Sequence, residues 1–278
     1  MLQRGVRVVV VTRRASASSQ ASMLDLRDKV VIVTGAGSGI GRESAILFAD
    51  AGATLVIGDI NVSGSETAKL IGDRAKFVRV DVSDWSDSKK LVDRAIHEWG
   101  KLDILFNNAG IDLPQATTVV DTNESDWDRI LSVNATGVFN CSHHALSVMV
   151  NQRSGVVINT ASRAGIAATF GEAAYCASKA AVISLTQQMA FDYAEYNIRI
   201  NCICPGVMEK PTEDRREFLE ATSSSAVQDR HDRYIQANPL GRLCTPLDVA
   251  KAALYLGSDR SSHITGVALQ VDGGELLL

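Results

Sequence analysis

The fold is decided by the stretch Val30-Val-Ile-Val-Thr-Gly-Ala-Gly-Ser-Gly-Ile-Gly41, which joins an apolar run to a glycine-rich turn. The apolar run predicts a buried strand over Val30–Thr34, and the apolar period after the glycines predicts a helix over 39–51. Glycines permit a sharp turn from strand to helix, and the backbone N–H groups at the helix N-terminus can then face a pyrophosphate. The stretch therefore predicts a dinucleotide-binding unit.

The glycine spacing alone is a moderate signal, because Ile40 occupies the last glycine position of the strict G-x-G-x-x-G string. Asp59 strengthens it by ending the next predicted strand, Thr54–Asp59, 20 residues after Gly39. A carboxylate there can accept hydrogen bonds from an adenosine ribose and would repel a 2′-phosphate, which favours NAD(H) over NADP(H). The alternative is an ordinary glycine turn followed by an acidic surface residue. The predicted cofactor contacts in this unit are Gly35, Ser38, Gly39, Ile40, Gly41 and Asp59.

Further along the chain, short β-branched runs alternate with stretches of helical period, which is typical of βαβ units and a parallel sheet. The remaining predicted strands are Phe77–Val80, Ile104–Asn107, Val156–Thr160, Ile198–Ile203 and Val267–Val271. The remaining predicted helices cover 63–72, 84–99, 125–150, 173–193 and 246–256. We expect one α/β catalytic domain over 23–278, a Rossmann-type doubly wound sheet of about seven mainly parallel strands with helices on both faces. The charged span 208–240 interrupts the alternation and is either a substrate loop or an ordinary surface excursion.

Composition excludes several classes of protein. The 278 residues carry a formal charge of −4, with 46% hydrophobic and 22% charged residues, as expected of a globular protein. A slightly acidic chain lacks the basic surface of a nucleic-acid binder, and no apolar run is long enough to span a membrane. Five cysteines without a C-x-x-C spacing predict buried, reduced thiols. Adjacent His143 and His144 cannot share a metal on one helix face, so we predict no metal site.

Residues 1–22 differ from the rest of the chain. They contain four arginines and no acidic residue, a composition that suits a flexible leader or a transit-like segment. The simpler interpretation is an upstream start ahead of Met23. The chain is accordingly predicted to be cytoplasmic, with the mitochondrial matrix as the alternative if this segment is a transit peptide.

Tyr175 and Lys179 lie four residues apart within the predicted helix 173–193 and therefore share a helix face. A nearby ammonium favours the phenolate and would lower the tyrosine pKa towards a useful range for acid/base chemistry. Such a pair is weak evidence alone, since helices carry it by chance.

Several motifs together make the sequence resemble the short-chain dehydrogenase/reductase family. They are Thr34-Gly-x-x-x-Gly-Ile-Gly41, Asn107-Asn-Ala-Gly110, Asn134, Ser162, Tyr175-x-x-x-Lys179 and Pro205-Gly206. The resemblance covers roughly residues 24–276. It implies that Tyr175 is the general acid/base, that Ser162 polarises the substrate oxygen, and that Lys179 lowers the tyrosine pKa and holds the nicotinamide ribose. It further implies that Asn134 supports a proton relay to Lys179.

The same resemblance suggests further cofactor contacts. Asp81 and Val82 would contact the adenine, Asn108 would lie beside the ribose, and the Met208 backbone would meet the nicotinamide carboxamide. The chain departs from the family pattern after Met208, where Lys210 stands in place of a frequent cofactor-contacting threonine; Thr212 is an alternative. The family's C-terminal strand often contributes to tetramer contacts, and the apolar tail Leu276–Leu278 fits burial at such an interface.

The sequence thus predicts an NAD(H)-dependent oxidoreductase that interconverts a small secondary alcohol and a ketone. One alternative is a 3-ketoacyl-thioester reductase of the same family, and another is a nucleotide-binding regulatory protein without turnover. The predicted partners are the substrate and other copies of the chain, as a homotetramer or homodimer. Residues 163–172, including Arg163, Phe170 and Glu172, are expected to line the substrate pocket with 208–240.

Overall fold

The computed structural model describes residues 24–112, 118–209 and 233–277. In this part of the chain seven strands form one sheet in the order β3-β2-β1-β4-β5-β6-β7, and every neighbouring pair is parallel. The strands are β1 (Val30–Thr34), β2 (Thr54–Asp59), β3 (Ala75–Arg79), β4 (Ile104–Asn107), β5 (Gly155–Thr160), β6 (Ile198–Pro205) and β7 (Ala268–Val271). The predicted doubly wound fold is confirmed, with a sheet that is wholly rather than mainly parallel.

Helices connect successive strands. They are α1 (Gly39–Asp50), α2 (Ser63–Ile71), α3 (Trp85–Trp99), α4 (Glu124–Leu131), α5 (Gly137–Gln152), α6 (Ala173–Tyr193) and α7 (Pro246–Gly257). Their ends agree with the predicted ranges to within one or two residues, except for 125–150. There a π-helical turn, Ser132–Thr136, separates α4 from α5.

Alternate residues of each strand point to opposite faces of the sheet, so each face has its own core. On one face Val31 and Val33 pack with Phe48 of α1 and Val249 of α7. On the other face the packing residues are Val30, Ile32, Leu91 of α3, Leu146 of α5 and Met189 of α6. Burial on both faces explains why the strands read as apolar runs rather than as alternating patterns.

The sheet order reverses between β1 and β4, so the chain leaves these two neighbouring strands in opposite directions. In open parallel sheets a crevice opens beyond the carboxyl ends of the strands at such a switch point. The glycine turn follows β1 there, and Asn107-Asn-Ala-Gly110 follows β4. The topology therefore places two of the sequence motifs side by side.

All five cysteines lie in the described ranges and are free thiols, four of them buried and Cys176 half-buried. Within 24–112, 118–209 and 233–277 no helix has the length and apolar character needed to cross a bilayer. Some predictions fall outside these ranges. The leader 1–22, the choice between Lys210 and Thr212, most of the proposed substrate loop and Leu278 are among them.

Candidate active site

The turn between β1 and α1 depends on backbone shapes that glycine adopts without strain. Gly35 and Gly39 have φ values of +63° and +50°. Gly41 has no room for a side chain, because a Cβ there would lie 2.1 Å from the Gly35 carbonyl oxygen. A Cβ on Gly39, in contrast, would meet nothing within 4 Å. The N-terminus of α1 therefore faces open space, which fits a bound pyrophosphate.

Asp59 lies at the end of β2 with its side chain held in place. Its Oδ2 accepts a hydrogen bond from the Gly37 N–H at 2.8 Å, and its Oδ1 accepts one from the Asn61 N–H at 2.8 Å. Gly37 is required at this contact, since a Cβ there would come within 2.8 Å of the same carboxylate. The structure thus ties the acidic residue directly to the glycine turn, a contact that the sequence analysis did not predict.

A cavity of about 710 Å³ opens over this turn. Eight of the predicted cofactor contacts line it: Gly35, Ser38, Gly39, Ile40, Asp59, Asp81, Val82 and Asn108. The lining residues that the sequence analysis missed include Ile60, Arg129, Ser132 and Val133. Arg129, Ser132 and Val133 belong to α4 and the π-helical turn, and no motif marks them. The glycine turn at the N-terminus of α1 and the Asp59 carboxylate fit the pyrophosphate and a ribose of a dinucleotide.

Asn108 has a structural role beyond the predicted contact with a ribose. Its side-chain amide donates to the carbonyl oxygens of Thr34 and Gly35 at 3.1 and 3.2 Å. Its backbone N–H donates to the Thr34 hydroxyl at 3.0 Å. Asn108 therefore fixes the glycine turn of β1 to the end of β4, across the switch point.

Tyr175 and Lys179 share a face of α6, as predicted. The Lys179 Nζ lies 5.5 Å from the centre of the Tyr175 ring and donates to the Thr160 carbonyl oxygen at 2.9 Å. Only 3% of Lys179 is exposed. The ammonium group is therefore anchored to the end of β5, beneath the tyrosine.

Asn134 is fully buried in the π-helical turn. Its Oδ1 accepts from the Ile111 N–H and its Nδ2 donates to the Ile111 carbonyl oxygen, both at 2.8 Å. The same Nδ2 donates to the Ser178 hydroxyl at 3.1 Å. The side chain thus joins the segment after β4 to α6.

Gly110 brings these groups to the edge of the cavity. A Cβ on this residue would lie 3.3 Å from both the Asn134 Oδ1 and the Lys179 Nζ. Gly110 and Ile111 also line the cavity. The predicted catalytic residues Asn134 and Lys179 consequently adjoin the predicted cofactor site.

Ser162 begins the short turn Arg163–Gly165, where its Oγ accepts from the Ala164 N–H at 3.1 Å. Its side chain also lies close enough to Tyr175 to lower the pKa of the phenol in part. The structure therefore brings Ser162, Asn134 and the α6 pair Tyr175 and Lys179 together from three segments of the chain.

The pKa of Tyr175 is raised rather than lowered, so the expectation that Lys179 brings it into a useful range is wrong. Burial raises the pKa of Tyr175 to about 12, the nearby Ser162 side chain partly opposes the rise, and the charges of Asp112 and Glu172 add to it. Burial also lowers the pKa of Lys179 to about 8, although Asp112 partly opposes this. The Lys179 Nζ lies 5.5 Å from the centre of the ring, and burial of the phenol outweighs the effect of its charge.

Other predicted positions lie outside the cavity or have different contacts. Met208 forms a parallel bridge with Cys244, away from the residues that line the cavity. Arg163 does not simply line a pocket, because its Nε pairs with a Glu275 carboxylate oxygen at 3.1 Å. Phe170 is 85% exposed. In the described ranges no group of three or more His, Cys, Asp and Glu side chains could hold a metal ion.

Comparisons with known proteins agree with this geometry. The family described as enoyl-(acyl carrier protein) reductase matches residues 35–275. The chain is 38% identical to 3-oxoacyl-(acyl-carrier-protein) reductase FabG of Thermotoga maritima over 255 residues, covering 90% of this chain and 98% of the relative. It is 37% identical to secoisolariciresinol dehydrogenase of Forsythia intermedia, with 90% and 89% of the two chains covered.

A solved structure titled ribose-5-phosphate isomerase from Brucella melitensis 16M superposes with a TM-score of 0.82 at 29% identity. The match covers 91% of this chain and 95% of that one. Sequence, fold and the arrangement of Asn134, Ser162, Tyr175 and Lys179 agree, and the chain belongs to the short-chain dehydrogenase/reductase family of oxidoreductases.

Proposed function

We propose that the protein is an NAD(H)-dependent oxidoreductase that interconverts a small secondary alcohol and a ketone. The observation that carries the proposal is the placement of the Ser162 and Tyr175 side chains together beside Lys179, next to the cavity at the switch point. Two hydroxyls at one point can bind a single alcohol or carbonyl oxygen. The family supplies the reaction class, and the site supplies the groups.

Each residue of the site has a distinct task in this reaction. Ser162 donates a hydrogen bond to the substrate oxygen and orients it. Tyr175 removes the hydroxyl proton during oxidation and returns a proton during reduction. Lys179 keeps positive charge near the phenol. Asn134 fixes the Ile111 backbone through two hydrogen bonds.

A bound nicotinamide dinucleotide would accept or donate the hydride. Gly35, Ser38, Gly39 and Ile40 would hold its pyrophosphate, and Asp59 would hold its adenosine ribose. The protein's own contribution is to hold the substrate carbon close to this cavity and to move one proton at the Tyr175 oxygen.

Asp59 supports the preference for NAD(H). Asp59 is only 9% exposed and lines the cavity. Two backbone N–H groups fix its carboxylate, so the carboxylate cannot easily move away from a 2′-phosphate. Asp59→Ala should shift the ratio of kcat/KM values with NAD and NADP at least tenfold towards NADP, since a like-charge contact is removed. Asp73→Ala, an exposed position beyond α2, is the control. An unchanged ratio in Asp59→Ala would remove the argument for NAD(H).

A second candidate is a 3-ketoacyl-thioester reductase, and the 38% identity to the Thermotoga maritima reductase favours it. The two proposals differ in direction, substrate and cofactor. Absorbance at 340 nm distinguishes them when NAD⁺ and NADP⁺ are tested with secondary alcohols, and NADH and NADPH with ketones and acetoacetyl-CoA. Turnover of alcohols with NAD⁺ supports the dehydrogenase, whereas reduction of acetoacetyl-CoA with NADPH alone supports the reductase. NADH binding without turnover of any substrate would support the regulatory alternative.

We also propose that the chain assembles with copies of itself as a homotetramer in the cytoplasm. Leu277 near the C-terminus is 82% exposed, and exposed apolar side chains often mark contacts between proteins. Light scattering should give four times the chain mass of 29.8 kDa. A monomer mass would contradict the proposed assembly.

A further inference from the structure

The C-terminal turn, residues 272–277, follows β7 and contacts three separate segments of the chain, one of which begins at Ser162. The Gly206 N–H donates to the Val271 carbonyl oxygen at 3.0 Å, just before this turn. The Asn238 side chain donates to the Asp272 carbonyl oxygen at 2.8 Å. Glu275 pairs with Arg163 in the third segment, which consists of Ser162 and the short turn Arg163–Gly165 and is called the serine turn below. The turn is therefore in contact with the backbone on both sides of 210–232 and with the serine turn.

Glu275 makes the central contacts of this arrangement. Its Oε1 lies 3.1 Å from the Arg163 Nε, and its Oε2 accepts from the Val207 N–H at 3.1 Å. The two charged side chains are only 15–16% exposed. Hydrogen bonds between charged groups are stronger than neutral ones, and losing one partner of a shielded pair leaves the other charge poorly solvated. The pair thus holds its two segments in a defined relation.

Close packing around Glu275 also indicates that these segments are held in a defined relation. A Cβ on Gly206 would lie 2.8 Å from both the Glu275 Oε2 and the Asp272 Cα. The chain can pass this carboxylate only because residue 206 is glycine. Arg163 in turn follows Ser162 directly in the chain, so a displaced Arg163 would shift the backbone that places the serine hydroxyl.

We propose that Glu275 is a positioning residue: through Arg163 and the Val207 N–H it holds the Ser162 turn at a fixed distance from the backbone after β6. This inference rests on the proposed function, because it assigns Glu275 to the geometry of the reacting oxygen. Glu275 is not among the residues that line the 710 Å³ cavity. Its loss should therefore affect the chemical step and leave cofactor binding intact.

Steady-state kinetics with NAD⁺ and the best alcohol test the proposal. Glu275→Ala and Arg163→Ala should each lower kcat/KM about tenfold, chiefly through kcat, because small displacements of a polarising group are costly to reaction rates. The double variant should be no slower than the slower single variant, since both changes break one contact. Arg163→Lys should recover most of the rate, and the NADH dissociation constant should stay within twofold of wild type throughout.

The control is an ion pair remote from the site, Arg94–Glu98 on α3, which joins at 2.8 Å. Glu98→Ala should leave kcat/KM unchanged. Effects of Glu275→Ala and Arg163→Ala that multiply in the double variant, or wild-type kinetics in Glu275→Ala, would overturn the proposal. So would a loss of NADH affinity as large as the loss of kcat/KM, because it would indicate general disruption.

Amide hydrogen exchange gives a readout that does not depend on turnover. Glu275→Ala, or Glu275→Gln if the alanine variant folds poorly, should speed exchange at Val207 and at Ala164 and Gly165 of the serine turn, with α3 unaffected. Unchanged exchange at these amides overturns the positioning role even if no alcohol is oxidised. Faster exchange in a protein that oxidises no alcohol would keep the mechanical link and refute only the proposed reaction.

Discussion

Tyr175 is the residue on which the proposed chemistry depends most directly. Tyr175→Phe removes one oxygen atom and leaves the ring beside Lys179, so folding and the cavity should be preserved. We expect kcat to fall at least a thousandfold, because proton transfer at this oxygen has no replacement. The NADH dissociation constant, measured by fluorescence, should change less than threefold.

The matched control is Tyr255→Phe, since Tyr255 lies on α7 and is 37% exposed. This change should leave kcat within twofold of wild type. A Tyr175→Phe variant that retains more than a tenth of the wild-type kcat would exclude Tyr175 as the proton donor and acceptor.

Lys179 should make the stability of the protein depend on pH. Its pKa falls from 10.5 to about 8 on folding because the ammonium is buried. Below pH 8 the folded protein therefore carries a buried charge that costs free energy, and between pH 8 and 10.5 this cost disappears as the folded state loses its proton first. Lys179→Met removes the cost, so its stability relative to wild type should decline by about 3 kcal/mol between pH 7.5 and pH 10.5.

Urea denaturation of both proteins at several pH values measures this difference directly. Taking the difference cancels the titration of every group that the two proteins share, including other lysines. Lys101→Met, at a position whose side chain is 41% exposed, is the control. A difference between Lys179→Met and wild type that stays constant across the range would mean that Lys179 is neutral or well solvated in the folded state.

The identities of the catalytic side chains could be read from the sequence, but their proton affinities could not. The four-residue spacing places Tyr175 and Lys179 on one helix face whatever surrounds them. Whether the phenol is acidified depends on where the Lys179 Nζ ends, and the Thr160 carbonyl of β5 decides that. Burial depends on every neighbouring element, so only the folded structure gives its sign and size.

Among the elements, the contact between the serine turn and α6 should be the most sensitive to added volume. A Cβ on Gly165 would lie 2.7 Å from the Lys179 carbonyl carbon and 2.8 Å from its oxygen. Helix backbone cannot yield as a side-chain end can, so Gly165→Ala must push the turn away from α6. We expect a loss of about 1–3 kcal/mol in unfolding free energy and at least a tenfold fall in kcat/KM.

Gly257→Ala, at the end of α7, is the matched control. Its Cβ would meet only the terminal methyl groups of Ile104 and Ile158, at 3.3 and 3.8 Å. Those groups can shift, so its cost should stay below about 1 kcal/mol and catalysis should be unchanged. Equal kinetic effects of the two variants would contradict a specific role for the contact between the serine turn and α6.

The elements themselves were largely predictable, since apolar runs and helical periods are local signals. The π-helical turn was not, because its cause is a long-range contact. Asn134 turns its amide onto both backbone groups of Ile111, a segment 23 residues earlier, and the helix predicted over 125–150 is interrupted there. A π-helical turn inside a helix is frequent at functional sites, which suits a residue that holds two segments together.

For the whole molecule, alternation of strands and helices was enough to predict the parallel sheet, and the glycine turn was enough to predict its cofactor edge. The link from Glu275 to Arg163 could not be predicted, because it joins residues 112 positions apart through a turn without a recognised motif. The bond between Asn108 and Gly35 could not be predicted either, although both residues belong to recognised motifs, because a motif does not show which atoms meet. The sequence pattern predicts the sheet and helix layers of the fold. Contacts between side chains of distant loops can be identified only in the folded structure.

The position of the cavity at the switch point predicts that cofactor binding stabilises the entire fold. Its walls come from the ends of β1, β2 and β4, the segment after β3, and the π-helical turn, so the complete site exists only in the folded chain. NADH at a hundred times its dissociation constant should therefore raise the free energy of unfolding by about 2.7 kcal/mol. NADPH at the same concentration should have a much smaller effect, because Asp59 opposes the 2′-phosphate. Thermal unfolding with each cofactor measures both, and Asp59→Ala should narrow the gap between them. Equal stabilisation of the wild-type protein by NADH and NADPH would show that the carboxylate does not select the cofactor.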